Sequence, residues 1–407
     1  MKNSKLSIVA TLTILGIFSG VNASEFDEAF TNGKVSGDVT ATYEQRSQDV
    51  ETGNYYNNSA YSVVSAELIY KTADFHNFSL AYGLRGYRVL WEDDKNSISG
   101  YGAGKGDASS RFFNINGGEI AVTTNAYLAY DTDIFHIKAG RQELETEWMD
   151  EHHDAVSIYA NPTEELEVEL IWSQSRYRMW ARELFYGSTM DGFMGKINSE
   201  GGGLYKVGLT YKISDSLKAK VYALSAPENY SVYGGRVSLD TKVNDISLGG
   251  FIHYMQTNEE LDNEDGELLD VKAYVGIDGY KATLGYIQTG KDGGWGSAWK
   301  GGENVDPFEE GDQLYNYVAV DSRTTYIALS KSIAGLSLSG IYGLTDYRSP
   351  NNTTPEYHKS EFCVWASYNI TKKLNLSAIL TLNDSDEDDS YPTSDMTQVS
   401  TTLVYKF

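Results

Sequence analysis

The chain has 407 residues and a formal net charge of -24 at pH 7, which excludes nucleic-acid binding through a general positive field. A single cysteine excludes an intramolecular disulfide. Mean hydropathy is -0.40, and past the first residues no apolar run approaches the roughly 20 residues of a membrane helix, yet barrel strands escape this test because each crosses with about ten residues of alternating polarity. Tyr 31, Gly 39, aromatic 13% and Pro 6 suit a continuous sheet with aromatic girdles.

The chain opens on Lys2 and Lys5, an apolar stretch from Leu6 to Phe18, and the small residues of Val21-Asn22-Ala23. This is the layout of a secretory signal peptide over residues 1-23, with cleavage expected after Ala23. Thr11, Thr13, Gly16, Ser19 and Gly20 interrupt the apolar run too often for a spanning anchor. Loss of the two lysines leaves the mature chain, 24-407, at about -26.

From Lys34 onward alternating segments are joined in turn by short and long connections. The short ones are Asp74-Phe-His-Asn77, Asp131-Thr-Asp133, Asn161 to Glu165, Ser214-Asp-Ser216, Asn244-Asp245, Asp278-Gly279, Ala334-Gly335 and Thr371-Lys-Lys373, each able to make a tight hairpin. Long ones fall near 47-61, 91-117, 145-153, 176-201, 226-230, 258-267, 291-319, 348-357 and 385-394. Short turns alternating with long loops are the rhythm of an outer-membrane barrel, and the count predicts an all-β transmembrane antiparallel barrel of about 18 strands with both termini in the periplasm. A soluble sandwich or β-helix also alternates, but would not combine such long strands with loops that are long on one side only.

Charge is costly in lipid, so the charged face of each strand is the predicted lumen. Asp38, Glu44, Glu67, Glu119, Glu167 and Glu169 point inward from the first seven strands, opposite Val39, Leu68, Val122 and Leu170. Lys206, Lys212, Lys218, Lys220, Arg236, Lys272 and Lys281 point inward from the following ones. Acids therefore occupy one arc and bases the other, with Arg85, Lys138 and Lys71 as exceptions. His253, between Ile252 and Tyr254, reads as a polar wall residue and Cys363 as an inert buried thiol.

Narrowing such a lumen needs a loop that folds inward. The glycine-rich 91-117 connection and the 291-319 connection, with Trp295, Trp299 and a run of acids, are long enough. In 176-200, Arg176, Arg178 and Arg182 interleave with Tyr177, Met179 and Trp180; this pattern could contact carboxylated solutes, but reads first as the outer end of a strand pair packed at the membrane interface.

Gly140-Arg141-Gln142 closes a strand and leads into Glu143 to Asp154, and the chain ends on alternating Val399 to Phe407. With the leader and the alternation, these features resemble the Opr-type porins, relatives of the OprD-like and epsilonproteobacterial major outer-membrane porins. The resemblance implies eighteen strands, a third extracellular loop folded into the pore, recognition of the Phe407 ending by the barrel-assembly machinery, and a homotrimer. It places Arg141, Glu143, Glu145, Glu147, Asp150 and Asp154 at the constriction, with help expected from the 291-319 loop because this one is short.

Asp150, Glu151, His152, His153 and Asp154 form the densest ligand-type cluster, from which Asp150 and Asp154 are the candidates for a Ca²⁺ site, if any metal binds. Adjacent His152 and His153 point apart on an extended chain. There is no Gly-x-Ser-x-Gly elbow and no globular domain before the barrel. The expected function is a porin of a Gram-negative outer membrane, surrounded by lipid and lipopolysaccharide and passing ions and small polar solutes, without a cofactor or a reaction. An adhesin or structural surface protein is the alternative, and a barrel enzyme a third.

Overall fold

In the computed structural model the described residues are 23-48, 59-93, 98-100, 104-106, 108-111, 113, 119-185, 202-260, 264-297, 307-308, 319-348, 356-386 and 395-407. The leader and most of the long loops, with the acids of 303-312, lie outside them.

Alternation produces eighteen long strands: β1 (Lys34–Gln48), β2 (Ser59–Lys71), β3 (Phe78–Glu92), β4 (Glu119–Asp131), β5 (Phe135–Thr146), β6 (Met149–Ala160), β7 (Leu166–Trp180), β8 (Leu204–Lys212), β9 (Leu217–Ala226), β10 (Tyr230–Val243), β11 (Ile246–Glu259), β12 (Glu267–Ile277), β13 (Tyr280–Thr289), β14 (Val320–Ile333), β15 (Leu336–Arg348), β16 (Glu356–Asn369), β17 (Leu374–Ser385) and β18 (Met396–Lys406). Each pairs antiparallel with its neighbours in sequence, and β1 pairs with β18, so the sheet closes into a barrel without an edge. At the seam, Gly37 N–H donates to Phe407 O at 3.3 Å and Phe407 N–H to Gly37 O at 3.1 Å. All eight short turns fall where the sequence places them, and Asn244, Asp278 and Ala334 adopt the positive φ that tight hairpins require.

One face of every strand is apolar and open to the surroundings. Leu68, Val221, Ile252, Leu284 and Leu329 are each more than half exposed, which is the lipid-facing band of a membrane barrel. In β18, Val399, Leu403 and Tyr405 point outward while Ser400 and Thr402 are buried inside. Burial of inward residues rises along β9, β13 and β17 toward their extracellular ends. The lumen is thus open toward the periplasm and filled in its outer half.

A short helix precedes the barrel. α1 (Ala23–Thr31) caps the β2–β3 turn: Ala73 N–H donates to Ala29 O at 2.9 Å, the Phe26 ring meets Phe75 edge-on at 5.7 Å, and Tyr70 OH donates to Phe30 O.

The alternation reverses in β4. An extra residue at Thr124, opposite the Gly83–Leu84 step, makes a bulge. Val122 consequently turns inward, 3% exposed, and position 119 falls opposite Arg88 on the outward side. The expectation that Glu119 lines the pore is corrected by this bulge.

Candidate lumen constriction

The outer lumen is filled first by a hairpin. β5 pairs with β4 only between His136 and Arg141; beyond that point it pairs with β6 alone, up to Thr146 opposite Met149. Gly140 is the point of departure, with φ 125, and a Cβ there would lie 2.2 Å from Ala126 O, so only glycine allows the turn. What the sequence presents as a 145-153 loop is two strands continuing to a two-residue tip, Glu147-Trp148.

The tip seats in the opposite wall. Trp148 and Met149 are fully buried. Trp148 Nε1–H donates to Tyr222 Oη at 2.7 Å, Tyr222 Oη lies 2.7 Å from His253 Nε2, and the indole stacks on the His253 ring at 5.5 Å. Trp295, from the 291-319 connection, meets Trp148 edge-on at 4.9 Å, and Phe308 from the same connection is 1% exposed against Tyr326. That connection does help to fill the lumen.

Beside the indole, four charges alternate in sign. Glu147 Oε2 lies 3.1 Å from Lys206 Nζ and 2.5 Å from Lys220 Nζ, and Glu169 lies 3.2 Å and 2.9 Å from the same two lysines. The Lys206 side chain is fully buried. Burying a charge is costly unless it is paired on every side, and here each one is paired twice. The acidic and basic arcs are not kept apart as the sequence suggests: the hairpin carries Glu147 to the lysines.

The other face of the hairpin holds the far end of β7. Arg141 grips Asp154 at 2.8 and 2.9 Å and stacks on the Tyr177 ring at 4.3 Å, while Tyr177 OH donates to Asp154 at 2.9 Å. Glu151 lies 2.7 Å from both Arg176 and Arg178, Asp150 3.3 Å from Arg176, and Glu183 3.0 Å from Arg178. Among the described residues no group of three or more His, Cys, Asp or Glu is arranged around a metal position; the two candidate Ca²⁺ ligands face guanidiniums. His152 stacks on Trp180 at 4.8 Å and His153 turns the other way, 2.8 Å from Ser173 Oγ.

The 176-185 stretch lies inside the barrel, and the expectation of an interfacial strand end is corrected. It folds back on itself through Glu183–Phe185, which pairs only with β7. It then crosses the lumen: Tyr87 OH donates to Trp180 O at 3.0 Å, Ser65 Oγ to Ala181 O at 3.1 Å and Arg182 Nη2 to Ser400 Oγ at 2.9 Å. Met179 and Leu184 bury against Tyr61, Tyr87 and Phe113. Carboxylates inside the lumen offer these arginines partners that lipid cannot, which decides the location.

Below these plugs the wall is polar. Arg85 binds Asp38 at 2.6 Å and Glu67 at 2.7 Å, and Thr124 donates to Glu67 at 2.5 Å. Glu143 and Glu145 stay exposed on the hairpin, with Glu67 and Lys138 among the charges acting on Glu143. Lys138 sits over the Tyr127 ring at 5.4 Å, and Glu167 is exposed on the inward side of β7. On the far arc Arg236 and Lys272 flank Phe251 at 3.9 and 4.8 Å, and Lys281 lies over Tyr274 at 4.0 Å. The Trp148 socket escapes sequence reasoning because its parts are up to 147 residues apart; the glycine before Arg141 is the one local signal for the inward turn.

Residues 43–253, just over half of the chain, match the family model described as "Putative outer membrane protein". Among solved structures, Acinetobacter baumannii OccAB4 superposes with a TM-score of 0.74 at 14% identity, covering 93% of this chain and 99% of that one. Pseudomonas aeruginosa OccK9 (OpdG) gives the same figures, 0.74, 14%, 93% and 99%. A double variant of OccD1 (OprD) gives 0.67 at 10% identity, covering 93% and 96%. At these identities the likeness is one of fold, and it bears out the OprD-like architecture. No curated protein matches in sequence.

Proposed function

The chain belongs to this family of outer membrane proteins, and on that premise we propose that it works as a porin, a water-filled channel for passive diffusion of ions and small polar solutes. The observation that carries the reading is the hairpin that leaves the wall at Gly140 and seats Glu147-Trp148 across the lumen. A barrel of eighteen strands leaves an aqueous passage unless something fills it, and an inserted hairpin with exposed Glu143 and Glu145 narrows that passage without lining it with apolar side chains. An adhesin needs no such insertion. Nothing in the lumen calls for a reaction: His253 is spent on Tyr222, and Cys363 is buried against Glu361 and Thr381.

Membrane lipid is the immediate surroundings of the outward face. Assembly by the barrel-assembly machinery and a homotrimeric state complete the proposal, the second read by chemical cross-linking in native membranes. The decisive measurement is planar-bilayer recording of the purified protein. Stepwise conductance is expected, and a silent bilayer with correctly folded protein overturns the porin reading.

A further inference from the structure

The outward face carries one basic residue where lipid should tolerate none. Arg88 occupies the eleventh position of the fifteen-residue β3, on the side of Leu84 and Gly86, and its side chain is exposed. Among the described residues it makes no hydrogen bond or ion pair, whereas inward Arg85 is bound by two acids. An arginine facing lipid costs about 2–4 kcal/mol at mid-membrane and little near the interface. The register places it near the outer interface: Arg88 pairs with Val64, and Val64 with Ala41. Exposed Tyr43 and Trp91, both opposite Ser62, lie one step nearer the outer rim. Aromatic residues of this kind mark the headgroup level.

Next to the guanidinium the wall is hollow. A dent of about 540 Å³ is lined by Val64, Ala66, Gly86 and Ala121, with Arg88 at its edge. A Cβ placed on Gly86 would meet nothing nearer than 4.0 Å, so the glycine is not demanded by packing inside the protein. An unpaired cation at headgroup depth, beside an apolar hollow that faces acyl chains, matches one occupant: a phosphorylated glycolipid of the outer leaflet.

We propose that Arg88 binds a phosphate of this lipid while the hollow over Ala66, Gly86 and Ala121 receives part of an acyl chain. The site depends on the outer-membrane location and not on conduction, so it stands or falls separately from the porin reading. A guanidinium and a phosphate form paired, charge-assisted hydrogen bonds, and the apolar hollow adds contact area that a free phosphate cannot use.

The test is titration of the full-length mature protein in detergent micelles with diphosphorylated lipid A, read by native mass spectrometry of the folded barrel. Arg88→Gln is expected to weaken binding roughly tenfold, as loss of a hydrogen bond to a charged group does, with Arg88→Lys recovering part of it. Gly86→Leu, which fills the hollow from outside, is expected to weaken lipid A binding as well. Both variants are on the lipid face and leave heat-resistant folding intact, which gel mobility checks. Equal binding by wild type and Arg88→Gln overturns the proposal, as does equal binding of lipid A stripped of its phosphates. Loss with Arg88→Gln but none with Gly86→Leu overturns the acyl-chain half of it.

Discussion

At the scale of single residues, Glu147 decides whether the lumen is obstructed. Its carboxylate is the only charge that the hairpin tip brings to Lys206 and Lys220; Glu169 is already on the wall. In Glu147→Gln two buried ammonium groups share one carboxylate, and breaking a buried pair from one side costs about 3–5 kcal/mol. The barrel ladder is untouched, so the loss falls on the docking of the tip. Single-channel conductance should rise and flicker, with the barrel still resistant to heat in detergent. An unchanged, quiet conductance would show that the tip holds by Trp148 alone. Residue identity in the sequence foretold inward or outward direction well, because charge and lipid do not mix. It was silent on partners: Glu147, Lys206 and Lys220 each read as lumen-facing, but nothing local says that they meet.

At the scale of elements, the short periplasmic turns were legible because a two-residue hairpin demands particular backbone angles, and Asn244, Asp278-Gly279 and Ala334-Gly335 supply them. The ends on the other side were not. β5, β6 and β7 continue past the barrel wall as strands inside the lumen, and alternation looks the same whether the partner is a wall or a plug. The bulge at Thr124 likewise reversed the face of Glu119 without any glycine or proline to announce it. Gly140 is the exception, a residue whose φ 125 and contact with Ala126 O require the absence of a side chain. Gly140→Val should cost about 1–3 kcal/mol in backbone strain and more in overlap, and the strain is relieved if the hairpin swings out. The expected result is a larger conductance together with protease cleavage near Glu143–Glu145 in intact membranes. Wild-type conductance and resistance would mean that the hairpin turns inward for reasons other than this hinge.

At the scale of the whole molecule, the count of basic residues facing the lumen misleads about selectivity. Arg85 is neutralised by Asp38 and Glu67, Arg141 by Asp154, Arg176 and Arg178 by Glu151 and its neighbours, and Lys206 with Lys220 by Glu147 and Glu169. Glu143 and Glu145 remain exposed on the narrowing hairpin, in a chain whose total is -24. Charges at a constriction act at close range on a passing ion, while those elsewhere are screened beyond a Debye length of about 10 Å at 0.1 M salt and about 3 Å at 1 M. The channel should therefore prefer cations, measured as the reversal potential in a potassium chloride gradient, and the preference should shrink as mean salt rises. Glu143→Gln combined with Glu145→Gln should reduce it at low salt with little change in conductance at high salt. An anion-selective reversal potential in the wild type would instead assign control to Arg236, Lys272 and Lys281, whose ammonium and guanidinium groups rest on aromatic rings rather than on carboxylates and so keep their charge available to a solute.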